Sequence, residues 1–383
     1  MTNTWEAGQA FYWSIYDRFR LIELVFEKER KEAGFTHQAL ADQCNTPYVK
    51  PYHLTMIQNL TRTINDKRHR IDRNQLLISL TWGLKLPKWK VDLILALFDG
   101  NALSEDEYVR YLSPYDDKRG STLPVCEEQL RSDCLRVMEE LLAKWSVPNH
   151  GPVSVSVSLL SARPSNLQDF EMSTLVLESQ PGMRLVIDAG LSRVIDPYPE
   201  TAEEFAQRLG LGRGGSALQD GDALSQRLEI QRKRQEVFLK TLEQYGITGI
   251  HSKTGIKSLL TQEDEAGRKQ VRRQIERMTD LLWRYDRFNV GLAEHTPALE
   301  LKIVGFDWAR MRGASDLLFG QANWGPSVVL WNDPQVVLLF VKDFWENFYK
   351  LPAVDRDKGS VIQTLCDLAE LPHPQHREAR ISA

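Results

Sequence analysis

Apolar side chains recur every three or four residues through the first hundred positions, the spacing of amphipathic helices. Residues 11–32 carry such a stripe in Ile15, Phe19, Leu21, Ile22, Val25 and Phe26, and Gly34 ends it. Thr36 is placed to cap the next helix, 37–44, because its hydroxyl can accept from an unpaired amide of the first turn. Leu40 supplies that helix's buried contact, and Asn45 tolerates the left-handed turn that follows. Leu54, Ile57, Leu60 and Ile64 predict a third helix over 53–64, and shorter helices follow at 74–82 and 88–98 around the turn 83–87. The pattern thins into a polar connector at 99–124, with one short helix at 105–112. Residues 125–145 then place Leu130, Cys134, Val137, Leu141 and Trp145 on one helical face. That face needs a cover, from a neighbouring element or from the same helix of a second subunit, so it is a candidate dimerisation arm.

From Pro152 the period shortens to two. The segments VSVSLLS, STLVLE and RLVIDAG are short, β-branched and bounded by Pro, Ser and Gly, which predicts strands. Charged helices are expected over 224–245 and 270–285, strands over 289–293, 299–307 and 328–331, and a closing helix over 334–350. Asp333 and Pro334 suit the cap and first turn of that helix, with Val337, Val341, Phe344 and Phe348 facing inward. The pattern therefore predicts an α+β multidomain chain: an all-α domain over 1–100, a linker with the possible dimerisation helix over 101–150, a mixed α/β domain over 151–371 and a flexible tail over 372–383.

A length of 383 residues agrees with two or three domains, and 42% hydrophobic with 26% charged residues excludes collagen-like and wholly disordered classes. The longest apolar run, Val336 to Val341, is far short of the roughly 18 residues that span a bilayer, and no basic leader precedes an apolar segment. A cytoplasmic chain with no membrane partner is expected. Cys44, Cys126, Cys134 and Cys366 form no CxxC pair, so they read as reduced thiols, with no metal site and no cofactor implied. The net charge is −4, yet residues 50–73 hold six Lys and Arg against Asp66 and Asp72, a local excess of +4. This stripe is a candidate for facing phosphates, although charge alone favours a solvated face.

The segment FTHQALADQCN, residues 35–45, resembles the second helix of Cro/C1-type (XRE-like) helix-turn-helix domains, with Leu40, Ala41 and Asn45 at the family's buried and turn positions. The resemblance runs over about residues 11–100, with Ile57 and Leu60 at further buried positions and six extra residues, 46–51, before the third helix. It implies a sequence-specific DNA-binding transcription regulator, non-catalytic, homodimeric on double-stranded DNA, with a carboxy-terminal sensing or oligomerisation domain. Thr55, Gln58, Asn59 and Arg62 would then contact bases, and Lys50, Lys67, Arg68, Arg70 and Arg73 phosphates. A helical bundle for protein contacts, or a DNA-targeted or nucleotide-processing enzyme with a carboxy-terminal active site, are the alternatives.

Other motifs are sparser. In GIHSKTGIKSLL, Gly249, Gly255, Lys257 and Ser258 stand in a phosphate-loop-like order with one residue too many, so a strand-to-helix turn accounts for them better. His251 and Lys253 form an HxK pair like that of phospholipase D-like enzymes, with neither the following Asp nor a second copy. Cys366, His373 and His376 are spaced as a chance cluster in an exposed tail. Trp283, Trp308, Arg310 and Trp331 could line a pocket for an unknown small-molecule effector, and an aromatic core explains the same residues.

Overall fold

The computed structural model describes residues 15–44, 72–112, 127–145, 157–161, 167–188, 191, 221–261, 265–296, 299–313, 327–331 and 333–376. The chain divides into two compact units, 1–152 and 153–383. It is helix-rich with one mixed sheet.

In the first unit, α1 (Ile15–Glu32) buries Leu21, Ile22, Val25 and Phe26, as its stripe predicts, and Gly34 leaves it at φ +72°. Thr36 caps α2 (His37–Cys44) by accepting from the Ala39 amide at 3.1 Å, and Leu40 and Ala41 are wholly buried. Against them lies the π-helical turn Ser79–Gly83, which continues α3 (Arg73–Ile78). Gly83 is needed for this approach: a Cβ there would meet Leu40 Cδ1 at 2.8 Å and Cys44 Sγ at 2.9 Å. Next come α4 (Lys88–Asp99) and α5 (Glu105–Glu107), the latter opened by a Ser104–Glu107 capping box and extended by a π turn over Tyr108–Leu112.

The helix expected as a dimerisation arm, α6 (Glu127–Trp145), packs inside this unit. Leu130, Cys134, Val137 and Leu141 are 0–3% exposed, with α4 and α1 against the helix, so the chain itself covers the face offered to a second subunit. Lys90 ties the three helices together, donating to Glu29 of α1 at 2.8 Å and Glu140 of α6 at 2.6 Å.

The second unit is built on a seven-stranded sheet of order β1-β7-β6-β5-β2-β3-β4. Its strands are β1 (Val157–Ser161), β2 (Arg184–Asp188), β3 (Ile247–Ser252), β4 (Phe288–Ala293), β5 (Leu299–Val304), β6 (Trp308–Gly313) and β7 (Ser327–Trp331). The β2, β3 and β4 strands run parallel, and the remaining pairs are antiparallel. Helix α7 (Leu167–Glu178) precedes β2, α8 (Gly221–Gln244) joins β2 to β3, and α9 (Lys253–Leu260) with α10 (Glu265–Arg284) joins β3 to β4. After β7, α11 (Pro334–Lys350) packs on β2, β5 and β6, and α12 (Lys358–Ala369) lies against α10 and β4.

Three expectations need correction. STLVLE lies in α7, not in a strand: Leu175 is buried and Val176 is 56% exposed on a continuous helix. A short apolar run has the same composition in either state, and only the length of the element separates them. The strand β6 and the helix α12 were not foreseen, since β6 mixes Arg with apolar residues on a strand paired on both sides. The tail expected to be loose from residue 372 is packed at its start, where the Cys366 thiol donates to the Pro372 carbonyl and His373 sits edge-on to Trp283.

The closing helix forms as its sequence requires. Asp333 accepts from the Gln335 and Val336 amides, Pro334 opens the first turn, and Val337, Val341, Phe344 and Phe348 are at most 1% exposed.

Candidate functional site

A pocket of the second unit lies between the sheet and the pair α7 and α8. It is lined by Ile247, Gly249 and His251 of β3, Arg184 and Val186 of β2, Phe288 of β4, Lys302 of β5, Arg234, Val237, Phe238 and Thr241 of α8, and Glu178 of α7, around a cavity of about 50 Å³. The strand residues share one face because side chains alternate along a strand. Register brings them into rows: Gly249 pairs with Val186, and Val186 with Lys302.

His251 is 3% exposed and stands at the end of β3, just before Ser252 caps α9. Its ring folds back over Gly249: a Cβ at that position would lie 2.7 Å from His251 Nε2. Glycine thus makes the space in which the imidazole turns toward the row that ends in Lys302.

Two cations in the pocket share one carboxylate. Arg234 donates from Nε to Glu178 Oε2 at 2.7 Å and from Nη2 to Oε1 at 2.8 Å, and Lys302 Nζ donates to the same Oε1 at 2.9 Å. Arg184 reaches back instead, donating to the Glu178, Gln180 and Gly182 carbonyls, so it closes the carboxyl end of α7. Around Arg234, Lys302 and Glu178 the local charge is +1, beside an imidazole and the Thr241 side chain. An apolar wall of Val186, Val237, Phe238, Ile247 and Phe288 completes the cleft. Cations at an apolar wall suit an anionic group, and an imidazole can act there as base or nucleophile.

The lysine of the sequence HxK pair is not part of this cluster. Lys253 begins α9 and pairs with Asp355 at 2.6 Å, so the strand ends before its side chain can follow His251 into the pocket. Lys302, distant in sequence, lines the pocket with His251 instead. Sequence reasoning missed Lys302, Arg234 and Glu178, because no local spacing joins residues brought together from β5, α8 and α7.

Among the expected phosphate contacts, Arg73 belongs to structure. Its guanidinium binds Asp99 at 2.6 Å and Glu107 at 2.9 Å and also donates to the Asn101 and Ala102 carbonyls, which fastens α3 to the segment after α4. With its donors turned inward it does not serve as a phosphate clamp. Arg73 holds the Glu107 carboxyl down to about 2. The stability from ionised Glu107 is therefore complete above the ordinary carboxylate value of 4.5 and is lost as pH falls through about 2. Arg73→Ala is expected to cost about 2 kcal/mol in urea unfolding; an unchanged unfolding midpoint would show that the guanidinium does not fasten α3.

Lys50, Thr55, Gln58, Asn59, Arg62, Lys67, Arg68 and Arg70 lie outside the described residues. Trp283 is 42% exposed on α10 and packs on His373, away from the pocket lining, so it does not form part of a ligand wall there. Trp308 and Arg310 stand in β6 and Trp331 in β7, with side chains outside the described set. Burial pushes the Cys44 thiol up to about 12 and Cys134 well above its usual range, so both are packing groups. Among the described residues no helix is long and apolar enough to cross a membrane, and no group of three or more His, Cys, Asp or Glu could hold a metal.

No protein-family model and no curated protein matches this chain. Among solved structures it is similar to NucT from Helicobacter pylori, at 10% identity and a TM-score of 0.28 over 52% of this chain and 98% of that one. It is likewise similar to Nuc from Salmonella typhimurium, a phospholipase D family member, at 12% identity and 0.28 over 52% and 96%. TrmBL2, an archaeal chromatin protein with a novel mode of DNA binding, matches at 13% identity and 0.27 over 60% of this chain and 64% of its own. Likeness at this level transfers neither a site nor a reaction. The expectation that the chain is not an enzyme rested only on finding no catalytic motif in the sequence and is corrected here, the solved neighbours including a phospholipase D family member.

Proposed function

We propose that this chain is a DNA-directed protein whose carboxy-terminal unit works on phosphodiesters in the pocket of His251, Lys302 and Arg234. The observation that carries this is the convergence, in one apolar-walled cleft, of a buried imidazole with two cations from different elements. A phosphodiester is a monoanion whose charge grows on its oxygens as a nucleophile arrives, and fixed cations stabilise that growth. His251 takes a proton from water as the water oxygen bonds to phosphorus; the ester P–O bond breaks and the departing oxygen takes a proton from solvent, to which the imidazolium returns its own, giving a phosphomonoester and an alcohol.

The reading is tested by turnover of labelled single- and double-stranded DNA by the full chain. Lys302→Ala is expected to lower the rate at least tenfold, whereas Lys253→Ala, which loses only the Asp355 pair, keeps it. Equal loss in both variants, or no turnover by the wild type, would refute catalysis at this pocket.

A second reading, the sequence-specific regulator, is favoured by the close seat of α2 on Gly83, with Thr36 capping and Leu40 and Ala41 buried. In that case the first unit delivers all discrimination between duplexes, and the pocket only binds.

A further inference from the structure

Glu178 is the terminal residue of α7, and its two carboxylate oxygens do what a ligand would be expected to do. One oxygen accepts from Arg234 Nε at 2.7 Å; the other accepts from Arg234 Nη2 at 2.8 Å and from Lys302 Nζ at 2.9 Å. Lys302 also has Glu300 at 3.6 Å, a looser approach. The three side chains are 12–13% exposed, at the wall of the pocket that holds His251.

We infer that Glu178 is a built-in stand-in for the phosphodiester: the pair Arg234 and Lys302 is a cradle for two oxygens on one central atom, and the substrate takes the place of the carboxylate. This rests on the phosphodiester reading of the pocket and adds to it which groups bind the anion and what must leave. The match is of charge as well as shape. A carboxylate and a phosphodiester are both monoanions presenting two oxygens to a forked guanidinium and an ammonium, so exchanging one for the other leaves the cluster at the same charge. A phosphomonoester brings up to two charges to the same two cations, so the cradle by itself does not prefer substrate over product.

The exchange is local. The backbone at the end of α7 is held by Arg184, which donates to the Glu178 carbonyl at 2.7 Å, and the side chain can turn away about its own torsions while the helix stays in place. Glu178 therefore acts as an intramolecular competitor and holds the cations in geometry when the pocket is empty. When it turns away, Arg234 and Lys302 each lose one anionic partner, which an external anion replaces.

The probe is thymidylyl-thymidine, with a single phosphodiester and no terminal phosphate, titrated into the full chain at low ionic strength. Glu178→Gln is expected to bind it at least tenfold more tightly than the wild type. The double variant Glu178→Gln with Lys302→Gln is expected to lose that gain. Glu178→Asp, whose shorter carboxylate cannot reach both cations, carries the same expectation of tighter binding should Glu178→Gln unfold. Affinity unchanged in both single variants, or a gain that survives loss of Lys302, would overturn the inference. Wild-type turnover is read separately: tighter binding by Glu178→Gln without any turnover leaves the cradle standing and removes the enzyme, while turnover without tighter binding does the reverse.

Discussion

His251→Gln is expected to lower phosphodiester turnover by about 10²- to 10⁴-fold, the span of a lost acid–base group, with binding of thymidylyl-thymidine changed little. Glutamine keeps a polar end of similar reach but cannot take the proton from the attacking water. The imidazole is placed by more than its own strand. It is buried at the end of β3, and Gly249, two residues earlier on the same face, leaves the volume into which its Nε2 folds. Gly249→Ala should therefore imitate part of the effect, since the added methyl carbon would start 2.7 Å from Nε2 and one of the two must move. A crystal structure of that variant with a displaced ring and reduced rate would tie position to function. Turnover by His251→Gln within threefold of the wild type would remove the imidazole from the chemistry.

Trp345→Ala is expected to destabilise the carboxy-terminal unit by about 3–5 kcal/mol, the usual cost of emptying a buried aromatic site. Trp345 is among the largest fully buried side chains. Its ring meets Phe344 at 5.5 Å and 89°, Phe348 at 5.8 Å and 81°, and Tyr349 at 5.6 Å and 23°, so removal breaks three aromatic contacts as well as leaving a cavity. The helix that carries it lies against β2, β5 and β6, and β2 and β5 supply Arg184 and Lys302 to the pocket. Loosening α11 should thus weaken anion binding as well as lower stability. Urea unfolding followed by tryptophan fluorescence checks the first and dinucleotide titration the second; a loss below about 1 kcal/mol would show that the helix is anchored elsewhere.

The elements that were legible in the chain share a cause that is local. Thr36 caps α2 and Asp333 caps α11 because a short polar side chain reaches amides two or three residues ahead, whatever the rest of the molecule does. The stripes of α1 and α11 are long enough for the helical period to be unambiguous. Where the run is short, as in STLVLE, the composition fits strand and helix alike, and the helix was settled by its upstream turns beginning at Leu167. Arg73 shows the same limit for charge. Its neighbours mark a basic stripe, yet its partners Asp99 and Glu107 are 26 and 34 residues away and pull it into the fold.

The chain alone determined the apolar stripe of α1, the capped helix that carries Leu40 and Ala41, the capped α11, and that His251 sits at a strand-to-helix turn. Folding decided which cations meet. Lys253 neighbours His251 by sequence but is turned to Asp355 as β3 gives way to α9, while Lys302 reaches the cleft across β2 and Arg234 descends from α8 onto Glu178. Side-chain direction in a strand has a period of two and is lost at its last residue, whereas sheet register joins residues at any separation; for that reason the elements could be read along the chain and the pocket only across it.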